Sequence, residues 1–317
     1  MSRAVPELSL RLYSKGNAAA RRQFCDSVAA GLHDYGFIVL ADHGVDASLL
    51  DRAYRQSEAL FALDTAAKNR YRSGLRGYTP FGTEHAKHSN HADLKEFWQI
   101  GRERAGLVHD VELEPNIWPA ELPKFQPLYK SLYAALDATA QLILRALAPS
   151  LALPDDYFAS LTRRGNSILR LIHYPPLLPN ADPAALRSAP HEDINFLTVL
   201  VAARGPGLQI LDRDGGWLPV DTAPRNLIVN SGDMLARLTN DKIAATTHRV
   251  VNPAGPNVSR YSMPFFLHPT DSTSLACLPA CVGTGAKYPP ITAGEFLAQR
   301  IREIGLAPAV ADATEKG

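Results

Sequence analysis

His191-Glu192-Asp193-Ile194-Asn195-Phe196-Leu197-Thr198-Val199-Leu200-Val201 follows a Pro-rich turn and ends in an apolar run of strand length. On extended backbone, residues two apart share a face, so His191 and Asp193 present one imidazole and one carboxylate to the same point. Outward from this stretch, the chain from Asn166 on is β-type, in segments 167–174, 194–202, 207–212, 216–220, 226–230, 243–252 and 259–268 separated by turns. Many short strands read as a sandwich or barrel. An arrangement of roughly eight is a jelly roll, or double-stranded β-helix, whose mouth commonly holds a ligand or metal. The expected fold is mainly β with α.

A third ligand must come from a distant strand, and His248 lies in another β-type run, Thr246-Thr247-His248-Arg249-Val250-Val251. Two His and one carboxylate on one face of a metal, with the opposite positions open, form the facial triad of non-haem Fe(II) oxygenases. The competing reading is that both His are hydrogen-bonded residues without a metal. With ten His and 32 acids in the chain, a His-x-acid pair is expected about once by chance, and it occurs twice. The other pair, His91-Ala92-Asp93, sits in a hydrophilic run beside Lys95 and Glu96 and reads as a solvated helix start, so it is rejected as the metal pair. Beyond His248, Arg260 and Ser262 share one face of a strand. A guanidinium and a hydroxyl side by side form a fork for a carboxylate.

The first half reads as helices around one early strand. Ala18 to Tyr35 has helical periodicity, Gly36 stops it, Phe37 to Leu40 is a short strand, Asp46 to Leu60 is a helix, and Phe125 to Ala148 is the longest helix. A last helix is expected at 292–304, then a frayed tail from Ala311 to Gly317. The organisation expected is a helical N-terminal region at 1–165, a β-helix core at 166–270 and a C-terminal loop, helix and tail at 271–317. Apolar residues make up 46% of 317, and 33 Lys+Arg against 32 Asp+Glu leave a net charge of +1. This argues against disorder and nucleic-acid binding. The longest apolar stretch, Leu132 to Ala148, carries Asp137, Gln141 and Arg145, which excludes a membrane span. Three Cys without a C-x-x-C, and no secretory signal at the start, fit a cytoplasmic protein, a monomer or weak dimer.

The chain resembles the iron(II)/2-oxoglutarate-dependent oxygenases, specifically the isopenicillin N synthase-like branch. The motifs are Tyr35-Gly36-Phe37 with His43-Gly44-Val45, Gly77-Tyr78 with Pro80 and Gly82, Lys95-Glu96, Tyr174-Pro175 and His191-x-Asp193. They continue with Gly207-Leu208-Gln209, Asn230-x-Gly232-Asp233, His248-Arg249-Val250 and Arg260-x-Ser262. Each is weak alone, but their order is specific. The resemblance implies a double-stranded β-helix behind a helical N-terminal region, with Fe(II) held by His191, Asp193 and His248. It also implies 2-oxoglutarate chelating the metal, anchored by Arg260 and Ser262 with Tyr174 supporting its carboxylate, and O₂ at the remaining position. Where many relatives have Asn-Tyr-Tyr-Pro, this chain has Ile172-His173-Tyr174-Pro175, so the Asn contact is lost. Isopenicillin N synthase and the aminocyclopropane-carboxylate oxidases carry the same Arg-x-Ser yet do not consume 2-oxoglutarate, so the cosubstrate stays open here.

The function expected is oxidation of a small molecule, with hydroxylation as the default outcome. A 2-oxoglutarate-independent oxidase is the alternative within the family. Outside it stand a metal- or ligand-binding β-barrel without turnover and a zinc hydrolase, the latter leaving Arg260-x-Ser262 without a purpose. Counting by twos from Tyr174 gives Ile172 and Arg170; from Ser262 it gives Pro264, Phe266 and His268. Arg170, Phe266 and His268 are therefore expected to face the main substrate. A buried Arg either bridges to a protein carboxylate or waits for a substrate one. The second case implies a carboxylic or amino acid, gripped by Arg170 with Phe266 against its carbon skeleton.

Overall fold

The computed structural model describes residues 3–86, 90–103 and 114–303. In chain order the first half runs β1 (Glu7–Ser9), α1 (Leu10–Lys15), α2 (Ala18–Asp34), β2 (Phe37–Ala41), α3 (Ala47–Phe61) and α4 (Thr65–Asn69). It continues as β3 (Gly77–Thr79), β4 (Glu96–Gly101), α5 (Phe125–Leu147) and α6 (Tyr157–Thr162). The second half is β5 (Ile168–Tyr174), β6 (Ser188–His191), β7 (Leu197–Arg204), β8 (Leu208–Leu211), β9 (Trp217–Pro219) and β10 (Leu227–Ser231). Then come α7 (Asp233–Leu238), β11 (His248–Val250), β12 (Arg260–Leu267) and α8 (Ala293–Glu303).

Local chemistry places the early elements. The Asn17 side chain accepts from the Ala20 N–H at the start of α2, and the Asp46 carboxylate does the same for Ser48 at the start of α3. Gly36 ends α2 in the left-handed region at φ +64°, where an added Cβ would also strike Thr246.

Two sheets face each other. The major sheet has the order β1-β2-β10-β7-β12-β5-β4-β3 and the minor one β6-β11-β8-β9. Between them lies a small apolar cluster of Phe37, Phe97, Ile172, Leu200, Leu208, Ile228 and Val250. The outer face of the major sheet is covered by the helices, α5 lying against β7 and β12 in a much larger core. Buried on both faces, β7 is apolar almost throughout rather than alternating. This is the jelly-roll architecture, in mixed company with helices. Among the described residues no helix is long and apolar enough to cross a membrane.

The first half is less purely helical than expected. β1, β2, β3 and β4 all join the major sheet, where one strand was expected. β4 is hard to read because it opens with Glu96. That carboxylate is buried and accepts from Lys68, Tyr78 and His173, so a polar pattern conceals an interior strand. β6 escapes notice because it contains Pro190, and α7 because it is six residues long. The expected strand at 243–252 shrinks to His248–Val250. The expected tail at 311–317 and the last residue of the helix at 292–304 lie outside the described residues.

Candidate active site

The antiparallel β6–β11 pair sets His191 directly opposite His248, with their ring centroids 4.3 Å apart. Asp193 follows two residues after His191, on the bend leading into β7. One donor atom from each of the three side chains lies within 4.8 Å of the other two. Asp193 Oδ1 is 3.9 Å from His191 Nε2 and 3.8 Å from His248 Nε2.

Hydrogen bonds behind the three groups decide which atoms point inward. His191 Nδ1 lies 2.8 Å from the Ala189 carbonyl and His248 Nδ1 lies 3.1 Å from the Thr246 carbonyl. A carbonyl can only accept, so each Nδ1 carries a proton and each Nε2 is the atom turned toward Asp193. Asp193 Oδ2 accepts from the Thr198 hydroxyl at 2.6 Å and the Asn230 amide at 2.8 Å, leaving Oδ1 toward the imidazoles. Burial works against charge on Asp193, but the two imidazoles, Thr198 and Asn230 outweigh it and hold its pKa below the usual carboxylate value. Burial brings His248 down to about 4, so it is a neutral imidazole at pH 7. The donor set, one carboxylate and two imidazoles with oriented partners, suits a divalent transition metal.

A cavity of about 510 Å³ opens over this triad. Arg170, Ile172 and Tyr174 from β5 line it, with Arg260, Ser262, Pro264 and Phe266 from β12 and His268 just beyond, as the period-two count expected. Tyr174 and Arg260 are cross-strand partners, and the guanidinium lies 5.2 Å from the phenol ring. Arg260 is 3% exposed; its Nε donates to the Pro206 carbonyl, while Nη1 is buried without a partner. An orphaned guanidinium N–H beside a hydroxyl is a seat for an anionic ligand. Ile172 lines the cavity with no donor, in keeping with the missing Asn.

Arg170 is not waiting for a substrate carboxylate. Its Nη1 reaches both oxygens of Glu84, at 3.0 and 3.2 Å, and its Nε and Nη2 donate to Gln99 Oε1. Its guanidinium stands 4.2 Å from the Phe97 ring centroid and 5.4 Å from that of Phe266. Of the two fates expected for this Arg, the structure takes the first, because a buried guanidinium is costly without a counter-charge. Sequence reasoning missed Glu84 and Gln99; Glu84 comes from a loop, and Gln99 is the register partner of Arg170 on β4, a strand whose pairing with β5 was not expected. His268 is buried neutral, its pKa brought to about 4 by desolvation, and its Nδ1 has no partner.

The rejected pair is resolved residue by residue. His91 is half exposed and lies 2.6 Å from Asp182. Asp93 is not solvated, contrary to the expectation of a helix start. It is 3% exposed and accepts from Lys95 at 2.7 Å.

Comparison with known proteins agrees in both halves of the chain. Residues 165–269 match the 2OG-Fe(II) oxygenase superfamily, and residues 5–121 match the N-terminal region of the non-haem dioxygenases in morphine synthesis. The 2-oxoglutarate-Fe(II) type oxidoreductase hxnY of Emericella nidulans is 30% identical over 311 residues, covering 93% of this chain and 88% of the relative. A crystal structure of a 2OG-Fe(II) oxygenase family protein from Caulobacter crescentus is 42% identical, with a TM-score of 0.85 over 95% of this chain and 99% of that one. A full-length Neurospora crassa protein, solved in complex with alpha-KG and thymine, is 26% identical, with a TM-score of 0.84 over 94% and 96% of the two chains.

Proposed function

Because the chain belongs to the 2OG-Fe(II) oxygenase superfamily, whose members use Fe(II), 2-oxoglutarate and O₂, we propose that His191, Asp193 and His248 hold its iron and that Arg260 and Ser262, with Tyr174, seat its 2-oxoglutarate. The bound iron supplies the oxidising chemistry: O₂ and 2-oxoglutarate give succinate and CO₂, with the second oxygen atom inserted into a substrate C–H bond. The protein's part is to bind, orient and neutralise. Asp193 brings one negative charge, and Thr198 and Asn230 keep one of its oxygens occupied so that the other faces the iron. The unpartnered Arg260 Nη1 receives the distal carboxylate of the cosubstrate.

The main substrate lies against Arg170, Phe266 and His268, and it is a small uncharged molecule with hydrogen-bonding groups. The observation that carries this reading is the Arg170–Glu84 pair. With Lys95 2.6 Å from Glu84 and 2.7 Å from Asp93, the two cations and two anions on this wall neutralise one another. A substrate carboxylate would have to displace Glu84, whereas a neutral amide or ring can use the exposed edges of the network and the His268 imidazole. The N. crassa relative, crystallised with thymine, offers a neutral example.

The test is substrate-stimulated succinate release across matched neutral and anionic small molecules. Stimulation by neutral heterocycles or amides and none by their carboxylate analogues is the expected outcome. Stimulation by carboxylic acids that disappears in Arg170→Met would overturn the neutral-substrate reading.

A further inference from the structure

We propose that Asp93 is a positioning residue for His191, acting through the strand that carries the imidazole. β6 is the outermost strand of the minor sheet, and its ladder with β11 has two register pairs separated by an irregularity. Pro190 has no N–H to give. Main-chain pairing therefore holds this strand weakly, although it must fix an imidazole to a fraction of an ångström.

Asp93 supplies what a neighbouring strand would supply elsewhere. Its Oδ1 accepts from the Ala189 N–H at 2.9 Å, and the Ala189 carbonyl in turn accepts from His191 Nδ1 at 2.8 Å. Its Oδ2 accepts from Lys95 Nζ at 2.7 Å and from the Ser188 hydroxyl at 3.2 Å. The Asp93 N–H donates to the Glu84 carbonyl, so the loop that carries the carboxylate is itself pinned. One residue, Ala189, thus links a buried carboxylate to the first histidine, through its N–H on one side and its carbonyl on the other. The same carboxylate is joined through Lys95 and Glu84 to Arg170 on the substrate wall. The hydrogen-bond partner of a metal-bound imidazole sets its orientation and basicity, and such partners are commonly worth ten- to a hundredfold in metal affinity.

Asp93→Asn tests this directly. An Asn side chain replaces one of the two carboxylate oxygens by an NH₂ donor, so it cannot accept both from the Ala189 N–H, held on Oδ1, and from the Lys95 ammonium, held on Oδ2, and one end of the link is lost while shape is kept. The inference rests on His191 as an iron ligand. If that assignment is wrong, His191→Ala keeps stoichiometric metal; if only the inference is wrong, His191→Ala loses it while the Asp93 variant matches the wild type.

Anaerobic titration with Fe(II), and with Co(II) as a visible reporter of ligand geometry, should show affinity about tenfold or more below wild type and an altered Co(II) spectrum. The affinity of the metal-saturated variant for 2-oxoglutarate should stay close to that of the wild type, because Arg260 and Ser262 lie on the opposite sheet. Asp93→Ala should reproduce the effect more strongly. Should it fail to fold, Asp93→Asn carries the test. A folded variant with wild-type metal affinity and spectrum would overturn the proposal. Equal losses for metal and 2-oxoglutarate would also overturn it, since they would mark general loosening of the barrel.

Discussion

Arg260 shows how one side chain can be costly to the fold and useful to the ligand. Its guanidinium is buried beside Tyr174, and burial lowers its pKa from the usual arginine value, opposed by Tyr174 and Tyr54. One carbonyl and one aromatic face do not satisfy five donors. On the proposed assignment, a dicarboxylate would complete the set. Arg260→Lys keeps a charge but loses the fork, and losing one charge-assisted hydrogen bond costs about 1.5–3 kcal/mol, or roughly ten- to a hundredfold in affinity. The apparent KM for 2-oxoglutarate should rise by that factor while stoichiometric Fe(II) binding is retained. Measuring both on the same preparation checks the separation.

At the scale of elements, the turn from β10 into α7 supports the Asp193 segment from below. Gly232 has an ordinary extended backbone, yet an added Cβ would stand 2.4 Å from the Asn195 carbonyl oxygen and 2.7 Å from that of Asp193. The Asp233 and Met234 N–H groups bond to carbonyls of the same stretch. Gly232→Ala should therefore destabilise the protein by about 1–3 kcal/mol through overpacking. Because the atoms displaced belong to the segment that carries Asp193, a proposed iron ligand, metal affinity should fall with it. Thermal unfolding with and without Fe(II) reads both effects.

The two neighbouring strands β5 and β12 also show what is legible in the sequence. Period two placed Arg170, Ile172, Tyr174, Ser262, Pro264, Phe266 and His268 on one cavity wall, because strand geometry is local and strict. The same count could not find Glu84 or Gln99, which reach Arg170 by tertiary contact. Nor could it show that Asp93, in a stretch that looks solvated, is interior. Burial of a charge depends on a partner the local pattern does not identify, here Lys95.

The molecule as a whole holds several ionisable groups away from their ordinary behaviour, and this gives its metal-free form a pH dependence with a definite sign. His248 and His268 are depressed from 6.5 to about 4 by burial. In the unfolded chain they take up protons as pH falls through 6.5, while in the folded state they resist, so stability drops between pH 6.5 and about 4. Burial would raise Glu84, but Arg170 and Lys95 bring it down from 4.5 to about 2. Its contribution is present above 4.5 and is lost as pH falls toward 2. Chaotrope unfolding midpoints of metal-free protein should thus decline as pH falls from about 7 to 5, and His268→Gln should flatten that decline. A midpoint independent of pH over this range would contradict the burial assigned to these imidazoles.

Three side chains, from β6, the bend after it and β11, are proposed to hold the iron. The most direct measurement is anaerobic Fe(II) titration of the wild type and of His191→Ala, Asp193→Ala, His248→Ala and His91→Ala, followed by 2-oxoglutarate-dependent succinate release. Stoichiometric iron and turnover in the wild type and His91→Ala, and neither in the other three, is the predicted result. Retention of stoichiometric iron by His191→Ala, or its loss in His91→Ala, would contradict the account.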